Sequence, residues 1–115
     1  DYNTSDGTAI RDYIHVSDLA RAHVVALERM LFSKNLTPVE VFNLGTGKGL
    51  SVLEIIQSFE KVSGQSLNYV FVPRRAGDVE KVWADTTRAN EVLGWKAEKT
   101  VDDCMRTAWE WQKRI

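Results

Sequence analysis

The stretch VEVFNLGTGKGLSVLEIIQSFEKVSGQSLNYVFV, residues 39–72, decides the reading of the fold. It opens on an apolar, β-branched run at 39–44 and passes a turn carrying Gly45, Gly47 and Gly49. Ser51-Val52-Leu53-Glu54 then gives the capping-box order, in which a serine and a glutamate three residues on satisfy each other's backbone donors at the start of a helix. Val52, Ile55, Ile56, Phe59 and Val62 recur at helical spacing, and Gly64 supplies the residue that commonly ends a helix in the left-handed conformation. A second apolar run, LNYVFV, follows at 67–72. Strand, helix and strand in this order predict a βαβ unit with a right-handed crossover. The fold class expected is therefore α/β, a small mixed α/β unit built around this βαβ element.

Upstream, residues 1–8 are polar and turn-rich, with Asp6-Gly7 as a turn signal. Residues 11–16 read as a short strand, and Ser17 or Asp18 is placed to cap a helix with an apolar stripe at Leu19, Ala22, Ala26 and Met30. Downstream, 73–80 is a charged loop and 82–84 a short third strand. Asp85 caps a helix through Leu93 closed by Gly94, and Thr100 with Asp103 caps a last helix through Trp111. These helices offer more apolar face than so small a sheet covers, and a run such as Val70-Phe71-Val72 expects burial on both sides. Part of this core is expected to lie against another domain. The opening on Asp1 rather than Met is what a piece of a longer chain would show, so residues 1–115 are read as one fragment.

With 43% hydrophobic and 27% charged residues among 115, the chain has globular composition. Fifteen Lys and Arg against 16 Asp and Glu leave a net charge of -1, which provides no electrostatic footprint for nucleic acid. No apolar run approaches the ~18 residues of a membrane span, and no secretory leader pattern is present. The single cysteine, Cys104, excludes an internal disulfide and fits a reducing compartment. A cytoplasmic protein is expected.

Two segments carry the candidate chemistry: DGTAIRDYIHVSDLA (6–20) and VPRRAGDVEKVWAD (72–85). Each sets arginine and a carboxylate beside aromatic residues, a combination suited to a phosphorylated sugar. Guanidinium forks hold phosphate oxygens, and a carboxylate accepts from ribose hydroxyls. Blander roles compete. Arg74, Arg75 and Asp78 could be a solvated loop cluster, Arg11 and Asp12 an internal ion pair, and Tyr13 plain core. His15 and His23 lack a ligand or base constellation and read as structural, and no metal site is expected. Trp83, Trp95, Trp109 and Trp111 read as core, although 109 and 111 cannot share one helix face, so one of them is expected to meet another surface. Cys104 reads as a small hydrophobe. The glycine turn lacks the spacing of either phosphate-binding fingerprint and reads as a turn that needs only positive φ angles.

DGTAIRDYIHVSDLARAHVVAL, FNLGTGKGLSVLE and PRRAGDVEKVWADTTRANEVLGW, taken together, resemble the C-terminal part of the UDP-glucose 4-epimerases, a branch of the extended short-chain dehydrogenase/reductase family. The resemblance implies a two-domain, homodimeric enzyme of galactose metabolism, with NAD on an N-terminal Rossmann domain and a UDP-hexose held by the C-terminal region. NAD takes hydride from C4 of the hexose and returns it to the opposite face. By that resemblance Arg11 and Arg75 hold the diphosphate, Tyr13 lines the site, and Asp78 bonds the ribose hydroxyls. The family's Y-x-x-x-K pair and G-x-x-G-x-x-G loop are absent from these residues, so no catalytic or cofactor-binding residue is assigned and the chain alone is expected to be inactive. Two alternatives remain: a related nucleotide-sugar dehydratase or decarboxylase, which shares the Arg11 segment, and a non-catalytic module that self-associates through exposed apolar faces.

Overall fold

The computed structural model describes all 115 residues. Its elements in order are β1 (Ile10–Arg11), α1 (Val16–Leu31), β2 (Leu50–Ser51), α2 (Val52–Ser63), a π-helical turn (Ala89–Leu93) and α3 (Val101–Arg114). β1 and β2 pair antiparallel, Ile10 opposite Ser51 and Arg11 opposite Leu50. On the other side of β1 the Ile10 N–H donates to the Glu80 carbonyl at 2.8 Å and the Val82 N–H donates to the Ile10 carbonyl at 3.0 Å. The backbone around Ile10 is thus held between residues 50–52 and 80–82. That places Arg11 beside the charged loop 73–80.

The two capping boxes form as written in the sequence. Ser51 Oγ accepts the Glu54 N–H at 3.2 Å while Glu54 accepts the Ser51 N–H at 2.7 Å, and Gly64 closes α2 at φ 70°. Thr100 Oγ1 accepts the Asp103 N–H at 3.1 Å while Asp103 accepts the Thr100 N–H at 2.9 Å. α3 runs past Trp111 to Arg114. It packs on α2 through Phe59 against Trp109, whose rings meet edge to face at 5.4 Å. Ser58 and Lys61 both donate to Asp102, each at 2.6 Å.

α1 departs from expectation at its start. The cap is neither Ser17 nor Asp18 but His15, whose Nδ1 accepts the Ser17 N–H at 2.9 Å. Nε2 of the same ring lies 2.9 Å from the Thr107 hydroxyl of α3. Thr107 in turn donates to the Asp103 carbonyl at 2.8 Å, so the ring ties the start of α1 to α3. Asp18 is drawn away from the cap: it is buried, and one of its oxygens accepts the N–H groups of Glu98 and Lys99 at 3.1 and 2.9 Å. Burial alone would raise its pKa, but the Lys99 and Glu98 donors and Arg21 outweigh it and hold the carboxyl below its ordinary value. Trp95, fully buried, donates Nε1–H to the Asp18 carbonyl at 2.9 Å and packs with Ala22 and Ala89, flanked by Ile14, Phe42, Leu44 and Leu93. Asp85 accepts from Thr87 as a local turn, and the helix expected after it forms its last turn in π geometry, closed by Gly94 at φ 67°.

The mixed α/β class stands, but the strand expectations are reduced. Runs 39–44 and 67–72 join no ladder, so the βαβ unit is not closed among these residues. Val39, Val41, Val70, Phe71 and Val72 are all exposed, and no strand of the chain reaches either run. The 11–16 strand shortens to Ile10–Arg11 because His15 already caps α1, and 82–84 gives a single backbone bond to β1 rather than a third strand. Trp83 is half exposed, not core, and Trp111 is the outward member of its pair. No helix is long and apolar enough to cross a membrane.

Candidate functional site

The two segments singled out in the sequence meet. Arg11, delivered by β1, donates from Nη2 to Asp78 Oδ1 at 2.7 Å and to the Val79 carbonyl at 2.7 Å, and from Nη1 to the Ile10 carbonyl at 2.8 Å. Of its five N–H groups this leaves Nε–H and one on Nη1 for a ligand. Arg75 Nη2 donates to Asp78 Oδ2 at 3.2 Å, yet its side chain is 85% exposed, so it is the freer of the two guanidinia. Both arginines and Asp78 line, with Tyr13, one cavity of about 400 Å³ whose far wall is Val70, Phe71 and Val72. All four residues named from the sequence are therefore gathered in one place. Burial pushes the Tyr13 phenol up, partly offset by Arg11, as suits a neutral ring in the wall.

Two further residues shape the site without having been assigned to it. The Tyr2 hydroxyl donates to Asp78 Oδ2 at 2.6 Å, and the Arg74 guanidinium lies over its ring at 4.2 Å. Arg74 also reaches the Asp1 carbonyl and Glu80, so local pairing is its role. Asp6 fixes this leading loop: Oδ1 accepts the Thr8 N–H and hydroxyl at 2.9 and 2.7 Å, and Oδ2 accepts the Ser51 hydroxyl. Asp6-Gly7 was legible as a turn, but nothing in the sequence aimed Tyr2 at a carboxylate 76 positions away.

Asp12, next to Arg11, is laced into the glycine turn. Oδ1 accepts the Thr46 N–H and hydroxyl at 3.0 and 2.7 Å, while Oδ2 accepts the N–H groups of Gly47 and Ala84 at 3.1 and 3.3 Å. It pairs with no arginine; its part is to clamp three segments. Of the three glycines only Gly47 has a positive φ, 77°. Gly45 and Gly49 are required for a different reason, close approach: a Cβ would strike Asp12 and Ala84 at the first and Ile10 and Trp83 at the second.

Electrostatically the cluster is suited to gripping a ligand. Bonds from Tyr2 first, then Arg75, hold the Asp78 carboxyl below its ordinary value, so it remains an acceptor. The histidines lie elsewhere, His15 at the cap and His23 against the Leu19 carbonyl. Burial pushes the Cys104 thiol up, the opposite of an activated nucleophile.

Residues 2–108 match the model of the GDP-mannose 4,6 dehydratase family. The UDP-glucose 4-epimerase 1 of Oryza sativa subsp. japonica is 49% identical over 99% of the chain, and the UDP-glucose 4-epimerase of Bacillus subtilis (strain 168) is 49% identical over 97%. The crystal structure of UDP-glucose 4-epimerase from Bifidobacterium longum in complex with NAD+ and UDP superposes with a TM-score of 0.90 at 46% identity, over 99% of this chain and 33% of that one. The chain spans about a third of the length of the curated relatives it matches, 32% in both.

Proposed function

Because this chain belongs to the GDP-mannose 4,6 dehydratase family and matches UDP-glucose 4-epimerases along its length, we propose that it forms the UDP-sugar-binding part of an NAD-dependent UDP-glucose/UDP-galactose 4-epimerase. The observation that carries this reading is the convergence of Arg11, Arg75 and Asp78 on one cavity walled by Tyr13. Arg75 and the unused donors of Arg11 are suited to a diphosphate, and Asp78 to the two hydroxyls of a ribose. Anchoring that non-reacting end is how binding energy presents a hexose to chemistry carried out elsewhere.

NAD would supply the hydride transfer, and it does not fit the residues present here. The glycine-rich turn at 45–49 has its Thr46 and Gly47 N–H groups committed to Asp12, so they are not offered to a pyrophosphate. In this reading the cofactor is held by other parts of a longer, cytoplasmic and homodimeric protein. The family model carries a dehydratase description, but relatives named as epimerases at 46–49% identity favour epimerisation over dehydration or decarboxylation.

The test is a UDP titration of the chain followed through its backbone amides. Shifts confined to the neighbourhood of Arg11, Arg75 and Asp78 are expected, weakened by Arg75→Ala, together with no interconversion of UDP-glucose and UDP-galactose by the chain alone. A uniform or absent response to UDP would defeat the reading, as would turnover by the pure chain.

A further inference from the structure

Resting on that reading, we propose that Tyr2 is a positioning residue of the nucleotide-sugar site: its phenolic O–H fixes Asp78 to receive the ribose diol, while Arg75 is the donor that gives way. Asp78 is already heavily used. A carboxylate offers about four acceptor positions, and Arg11, Tyr2 and Arg75 occupy one each. A diol held through both hydroxyls needs two, so one present donor must leave. The geometry assigns which. Arg11 is half-buried and tied to two backbone carbonyls besides Asp78. Tyr2 makes the shortest of the three bonds, 2.6 Å, and its ring is held beneath Arg74, which is itself bonded to the Asp1 carbonyl and Glu80. The loop behind it is pinned by the Tyr2 N–H on the Gly7 carbonyl at 3.1 Å and by Asp6 on Thr8 and Ser51. Arg75 has the longest bond, 3.2 Å, and the most exposed side chain. Its release vacates an acceptor on Asp78 and presents a free guanidinium to the phosphates in the same movement. Entry of the diol and capture of the diphosphate are thereby coupled through one carboxylate, and Tyr2 keeps that carboxylate from following Arg75 outward.

The experiment compares UDP with 2′,3′-dideoxy-UDP on the full chain, as wild type and as Tyr2→Phe, by amide-shift titration. Phenylalanine keeps the ring under Arg74 and removes only the donor. Tyr2→Phe is expected to weaken UDP by about tenfold and to leave the dideoxy nucleotide within about twofold, because only the former engages Asp78 through a diol. In the ligand-free protein the Asp78 carboxyl, faced by Tyr2, Arg11 and Arg75, is expected to titrate at higher pH in Tyr2→Phe, since its principal stabilising bond is lost. Equal losses for both nucleotides, or an unmoved Asp78 midpoint, overturn the proposal. If wild type ignores UDP altogether, the epimerase reading falls first and Tyr2 loses its role in binding with it; if wild type binds UDP and Tyr2→Phe binds it equally well, only the proposal falls.

Discussion

Asp12 shows how much one side chain can organise. Its two oxygens collect four donors from residues 46, 47 and 84, which lie 34 to 72 positions away in the chain, and so fasten β1 to the glycine turn and to the loop leading to Ala89. Asp12→Ala strands the Thr46 and Gly47 N–H groups without an acceptor, and the expected loss is about 2 kcal/mol, read as a lowered urea midpoint. Gly49→Ala is expected to destabilise as well, because the new methyl meets Ile10 and the Trp83 ring, and Trp83 fluorescence should shift with it. Neither effect is visible in the bare sequence. Asp12 stood beside an arginine and invited an ion pair, and the glycines invited a reading in terms of φ alone, whereas the structure uses two of them for room. The arginines and Asp78 were grouped from sequence because their residue types suit one ligand, and they do meet in space; Tyr2 was not grouped with them, because its meaning depends on a partner brought by tertiary structure.

At the scale of elements, what was legible is what is local. The boxes at Ser51/Glu54 and Thr100/Asp103 are written within four residues and form as written. The His15 cap is not, since its ring is oriented by Thr107 from another helix, and Asp18 is diverted by a turn 80 positions away. Runs 39–44 and 67–72 carry strand composition, but a strand is completed by a neighbour, and none is supplied within the chain. The α3 cap also sets a pH dependence. The Thr100 N–H, then Arg106 and the Thr100 hydroxyl, bring the Asp103 pKa down to about 2. A carboxylate so lowered favours the folded helix above the unfolded pKa of ~3.9, and its contribution disappears as pH falls through 2. Helical ellipticity should therefore decline between about pH 4 and pH 2, and Asp103→Asn should flatten that part of the profile. An identical acid transition in Asp103→Asn would show that the cap carries none of it.

The whole molecule is expanded for its length. A compact domain of this size has a radius of gyration of about 13 Å and an accessible surface of roughly 6,400 Å², whereas this chain has 17.1 Å and 8277 Å². Large apolar side chains are left uncovered: Met30, Leu31 and Phe32 at the end of α1, Val39 and Val41 after it, and Val70, Phe71 and Val72 on the cavity wall are all more than half exposed. A chain spanning a third of its relatives' length, yet superposing on one of them with a TM-score of 0.90, has a shape that makes sense as part of a larger core. Taken alone, it must leave those faces wet or cover them with another copy. Sedimentation equilibrium should accordingly give an average mass above 13.1 kDa that climbs with concentration, and a dye of exposed apolar surface should brighten in dilute solution and dim as association proceeds. UDP should leave association through α1 and the 39–41 run largely unchanged, because those residues lie outside the cavity lined by Arg11, Arg75 and Asp78. A mass fixed at 13.1 kDa with a dark dye would mean that the chain closes over its own apolar runs and offers no associating face.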